Sequence, residues 1–125
     1  WKTGLDAALR GHKLDLNNYY PSKHYPIVTA FQYWAWAEKE KKFYEQAFNQ
    51  IQLSKQPGFF WYHMHSANSA AGWGKDELAR EHYNEIKKII KSEKINDVLS
   101  HHVNWNVEKT YWLITKSFLP KFGFN

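Results

Sequence analysis

The chain has 125 residues and no cysteine. That excludes disulfides, thiolate metal centres and a cysteine nucleophile. There is no Asn-x-Ser/Thr sequon, so N-glycosylation lends no support to a eukaryotic secreted domain. No run approaches the roughly 20 apolar residues that a membrane-spanning helix needs. Nothing alternates between apolar and polar residues long enough to read as a strand. No serine stands in a Gly-x-Ser-x-Gly setting, so a nucleophile elbow is missing too. A strong charge of one sign is also lacking. The net charge is +5 and the isoelectric point is near 9.3, which allows an acidic partner or nucleic acid and demands neither. Trp1 in place of Met reads as the trace of an upstream tag, domain or signal peptide. It leaves the compartment open, cytoplasmic or exported.

What the sequence has in quantity is aromatic side chains. They make up 18% of the residues, with seven Trp, eight Tyr and eight Phe. That composition belongs to a folded chain rather than a disordered one. The length fits one domain that buries roughly two-thirds of its unfolded surface. The expected organisation is a single domain over 1–125, with an N-terminal helix and irregular connection over 1–25, helical hairpins over 26–90 and C-terminal helices over 91–125.

Phe59–Ile90 organises the rest. An aromatic run followed by small residues breaks at Gly72-Trp73-Gly74 and resumes as Asp76 to Ile90. Ala79, Tyr83, Ile86 and Ile90 recur every three or four residues, so the pattern predicts two amphipathic helices joined by a glycine turn. Asp76 and Glu77 at the start of the second helix, with lysines at its end, match the helix dipole. Upstream, Thr3 to Arg10 reads as a short helix, and Lys13 to Tyr25 as an irregular connection. Pro26 suits a first helical turn. Ile27, Phe31, Trp34, Ala35, Phe43, Ala47 and Ile51 continue at helical spacing, either as one helix over 27–55 or, as the length favours, as two helices broken near Lys41. Gln56-Pro57-Gly58 is a stop. Asn96 to His102 reads as one or two helical turns. Val107, Tyr111, Ile114 and Phe118 mark a last helix, ended by Pro120 and Gly123. The class is all-α, with six or seven helices in packed antiparallel hairpins.

Trp61, Met64, Gly72, Ala79, Tyr83 and Ile86 fall in the order of key positions in a tetratricopeptide-type repeat, which this stretch resembles. In that family a Trp and a Leu open the first helix, a Gly precedes the turn, and an Ala followed four residues later by an aromatic marks the second helix. Phe43, Tyr44 and Ala47 resemble a fainter second-helix copy, and Pro57-Gly58 the terminal proline. His65 stands where the family has a glycine, and the turn after Gly72 is longer. The likeness covers 27–90. It implies a right-handed, TPR-like helical repeat stack and a non-catalytic binding scaffold.

Several constellations invite chemistry. His63 and His65 lie two apart on a helix and so point to nearly opposite sides. His82 and Glu85 share a helix face, and with the distant His101 they form the one conceivable metal set. A small metal protein or enzyme would be centred on His63, His82 and His101. Otherwise no metal or cofactor is expected, and the histidines read as buried and hydrogen-bonded. Gly72-Trp73-Gly74-Lys75 fails as a P-loop, since Ser69 and Asp76 occupy positions that need Gly and Ser/Thr. Glu77, Glu81 and Glu85 read as solvated helix-surface charge. Lys39, Lys41, Lys42, Lys87, Lys88, Lys91 and Lys94 are basic enough for weak nucleic-acid binding, but glutamates interleave them. Adjacent rings such as Trp34/Trp36, Trp61/Tyr62 and Tyr111/Trp112 cannot all face one core. The favoured function is therefore a protein- or peptide-interaction module with an aromatic groove between helices, drawn from Tyr33, Trp36, Trp61, Tyr62, His65 and Trp73.

Overall fold

A computed structural model of the chain describes residues 24–105 and 107–125. The expected helix from Thr3 to Arg10 and the connection up to residue 23 lie outside the described residues. Tyr25, placed by the sequence in that connection, instead opens the first helix. It is fully buried there, and its hydroxyl donates to Gln56 Oε1 at 3.0 Å.

The described part is all-α. Helix α1 spans Tyr25–Glu38, with Pro26 in its first turn, and α2 spans Lys41–Ile51. The break between them falls at Lys39, which adopts a left-handed backbone (φ 58°) and returns its N–H to Ala35. Its cause is visible in the sequence. Residues 37–42 carry no side chain that the core can hold, and all six are exposed. A short 3-10 turn, Gln52–Ser54, follows α2. Helix α3 spans Phe60–Trp73 and α4 spans Asp76–Ile90, with Gly74 left-handed at the turn between them (φ 92°). Helix α5 spans Ile95–Asn104 and α6 spans Lys109–Phe118, and a 3-10 turn at Leu119–Phe122 closes the chain. No strand occurs among the described residues, and no described helix is long and apolar enough to cross a membrane.

Helix α3 lies at the centre. It packs against α2, α4, α6 and, more lightly, α1. Every residue from Phe60 to Ala70 is buried, so no side of its first three turns meets water. Helix α4 is the opposite kind: Ala79, Tyr83 and Ile86 are buried, Ile90 is half-buried, and the outer face is charged. Arg80 pairs with Glu77 and Lys88 with Glu85 in exposed ion pairs on that face. The C-terminus is strapped back onto the domain. Phe122 and Phe124 are buried, Lys87 donates to the Phe122 carbonyl, and Asn125 exchanges backbone hydrogen bonds with Glu93 and Ile95.

Small residues late in α3 admit a neighbour, as the sequence suggests, and Gly72 shows it most sharply. A Cβ on Gly72 would overlap the Tyr44 ring. Tyr44 is itself buried and wedged edge-on against Phe118, so it has little room to retreat. A Gly→Ala change inside a helix ordinarily gains up to ~1 kcal/mol from propensity. Here overpacking reverses the sign. Gly72→Ala is expected to cost about 1–3 kcal/mol, read as a lower midpoint in urea unfolding; a stabilised Gly72→Ala variant would show that Tyr44 moves freely.

Candidate functional site

The aromatic residues predicted to line a groove do not gather on one surface. Trp61, Tyr62 and His65 are buried core residues, at 2%, 5% and 4% exposure, and this corrects their assignment to a groove. The reason is the enclosure of α3: with neighbours on all sides, adjacent rings on that helix can all be buried. Tyr33 is half-buried and donates its hydroxyl to Glu108 Oε2 at 2.9 Å. Trp73 is half-buried against Phe48, with the Lys75 ammonium over its ring. Trp36 lines an open cleft.

That cleft has a volume of about 270 Å³ and lies where the α1–α2 elbow meets the end of α3 and the end of α6. Ala35, Ala71 and Gly72 provide small surfaces, Trp36, Tyr44 and Phe118 provide rings, and Lys39, Glu40 and Lys41 form a charged edge. The Lys39 ammonium rests 4.7 Å from the centre of the Trp36 ring, a cation–π contact that fixes both side chains at the rim.

Inside, the structure assembles a polar network that the sequence did not reveal. Gln32, Ser69, Asn68, Thr115 and His102 are all fully buried, and with His65, Tyr83 and Tyr111 they link five helices. Donor and acceptor roles follow from groups that can act only one way. His102 Nδ1 faces the Val98 carbonyl at 3.1 Å, so this nitrogen carries the proton. Its Nε2 must then accept, and the Thr115 hydroxyl donates to it at 2.9 Å. Thr115 Oγ1 accepts from Asn68 Nδ2 at 3.0 Å, and Tyr83 donates to Asn68 Oδ1 at 2.6 Å. The second Asn68 amide proton goes to the Tyr111 oxygen. Gln32 gives its amide protons to the His65 carbonyl and to Ser69 Oγ, which turns its oxygen toward His65 Nδ1 at 3.2 Å. The Tyr111 oxygen lies 2.8 Å from that same nitrogen. Polar residues at apolar-stripe positions, such as Gln32 between Val28 and Ala35, are the signal that could have pointed to this network.

The histidines of the alternative reading are only partly brought together. His63 Nε2 donates to the Pro57 carbonyl, so its Nδ1 accepts from His82 Nδ1 at 3.0 Å. His101 instead stacks on Phe60, with ring centres 4.4 Å apart. Among the described residues no three of His, Asp or Glu converge as a metal-binding group, so His82, Glu85 and His101 do not form one. Burial pushes His65 down to about 3, reinforced by His102. Burial likewise lowers His82 to about 4, with His63 adding to the effect and Glu85 opposing it. His102 falls to about 4 from burial, against the pull of its Val98 bond. Neutral, fixed imidazoles suit a scaffold more than proton transfer near pH 7.

No protein-family model, curated protein or solved structure matches the chain.

Two predictions follow from the network. Each shifted histidine binds protons less readily folded than unfolded, so the unfolded state gains protons first as pH falls. Stability is complete above about pH 6.5 and is lost toward the folded values near 3 to 4. His65 and His102 alone give a slope of about 2.7 kcal/mol per pH unit in that window. Thermal melts by circular dichroism should lose roughly 10 °C or more between pH 7 and pH 5; a flat profile would show that these imidazoles titrate normally. Secondly, two tyrosines should respond oppositely to removal of a hydroxyl. Tyr83→Phe leaves Asn68 Oδ1 unpaired and should cost about 1–3 kcal/mol. The Tyr44 hydroxyl is buried without a hydrogen-bond partner among the described residues, so Tyr44→Phe should be neutral or stabilising in the same denaturation assay.

Proposed function

We propose that the protein is a non-catalytic interaction module that holds a peptide segment of a partner protein in the cleft beside Trp36. The observation that carries this reading is the cleft itself. A half-buried tryptophan stands over a floor of glycine and alanine, rimmed by side chains of both charges. Aromatic anchors in water-excluding recesses contribute disproportionately to protein recognition. The volume lies below the roughly 300–1,000 Å³ of typical cofactor and small-molecule sites, and it suits one or two side chains.

The TPR-like repeat stack belongs to the same proposal. In it, α1–α2 and α3–α4 are two successive hairpin units, supported by sequential packing of α1 on α2, α2 on α3 and α3 on α4. Trp61, Met64, Ala79, Tyr83 and Ile86, which carry the resemblance, are all core residues. The cleft then lies at the junction of the two units, which is where a repeat scaffold gains a surface that no single hairpin has.

Peptides selected from a random phage-displayed library against the folded protein provide the test. Trp36→Ala should weaken them about tenfold or more, while Trp105→Ala, exposed at the end of α5, should leave them unchanged. Selected peptides that depend on Trp105 and ignore Trp36 would place recognition elsewhere.

A further inference from the structure

The charge around the cleft narrows what enters it, given the reading of the cleft as a peptide site. Lys39 and Lys41 stand at its edge, both exposed, and neither joins an ion pair among the described residues. All three ion pairs there involve α4. Lys39 lies over Trp36. The Lys41 ammonium sits beside Gly74, at the carboxyl end of α3. Two further lysines extend the basic surface on the adjoining segments: Lys42 lies over Phe43 and Lys75 over Trp73. Ring contacts hold three of these four ammonium groups against the surface, so less side-chain freedom is lost when a carboxylate meets them. Only Glu40 opposes them within the cleft lining, whose other members are small residues and rings.

We propose that the cleft takes an acidic peptide segment carrying one large apolar side chain. That side chain enters between Trp36, Tyr44 and Phe118, and flanking carboxylates meet Lys39 and Lys41. The proposal rests on the interaction-module reading and adds the chemistry of the partner. A nucleic-acid strand is the competing occupant for lysines beside a tryptophan. The structure favours the peptide, because the recess behind the lysines is lined by Ala35, Ala71, Gly72 and rings and so takes an apolar side chain.

The test uses fluorescence anisotropy with three labelled probes: eight-residue peptide pools with a central Phe or Leu flanked by Asp and Glu, the same pools flanked by Lys and Arg, and the oligonucleotide dT8. The acidic pool should bind at least about tenfold more tightly than the basic one. The double variant Lys39→Glu/Lys41→Glu should erase that preference while melting like the wild type, since both side chains are exposed. Equal binding of both pools, each still weakened by Trp36→Ala, would overturn the acidic specificity and leave the module reading in place. No binding of either pool would overturn both. Tighter, Lys39/Lys41-dependent binding of dT8 would replace the peptide with single-stranded nucleic acid.

Discussion

The structure depends on the enclosure of α3. A helix that is buried all round cannot follow an amphipathic pattern, and α3 does not: aromatics, histidines, serines, an asparagine and alanines alternate with no polar face. A polar group carried inside without a partner costs about 1–3 kcal/mol, and apart from the Trp61 indole N–H, which has no partner among the described residues, the buried polar side chains of α3 are hydrogen-bonded. The surrounding helices supply those partners. Gln32 comes from α1, Tyr83 from α4, and Tyr111 and Thr115 from α6, with His102 of α5 bonded behind Thr115. An apolar core of similar volume tolerates rearranged packing, whereas a network of directed bonds is correct in one arrangement only. The network therefore sets which helices neighbour α3 and at what height, more than it adds net stability.

The same enclosure shapes the surface. Because α3 tapers from bulky rings at Phe60–Tyr62 to alanine and glycine near its end, α2 can approach closely there, with Tyr44 seated on Gly72. Tyr44 then presents one side to the interior and another to the cleft. The cleft is thus a by-product of close packing, in which small residues that let two helices meet leave a shallow recess above them. The polar elbow at residues 37–42 supplies its charged edge, since a segment with nothing to bury must stay in water.

Periodicity made the hairpins readable from the sequence. The α3–α4 turn at Gly74, the α1–α2 break and the last helix over Tyr111 and Ile114 lie where apolar spacing, glycine and a polar run place them. Lys39 rather than Lys41 carries the break, a difference of two residues that the run of lysines and glutamates could not resolve. The groove was less readable. Facing directions two residues apart on a helix show that Trp34 and Trp36, or His63 and His65, diverge. They do not show whether one side meets water, because that depends on how many neighbours the helix has. Among the described residues α1 packs mainly on α2, and Trp36 stays partly exposed. Neighbours surround α3, and Trp61, Tyr62 and His65 are lost to the core.

The histidines illustrate how far residue type can be taken as a guide to chemistry. Seven in 125 residues suggests a site. Yet each buried imidazole is held by a neighbour that cannot change its role: a Val98 carbonyl for His102, a Pro57 carbonyl for His63 and a Gln32 amide oxygen for His65. A group so fixed is a spacer with two directed contacts, well suited to joining helices and poorly suited to exchanging protons. With the buried imidazoles held in fixed contacts, the recognition capacity at the cleft consists of rings and ammonium groups. Trp36, one of the six rings the sequence nominated, combines an apolar recess with lysine charge at its edge.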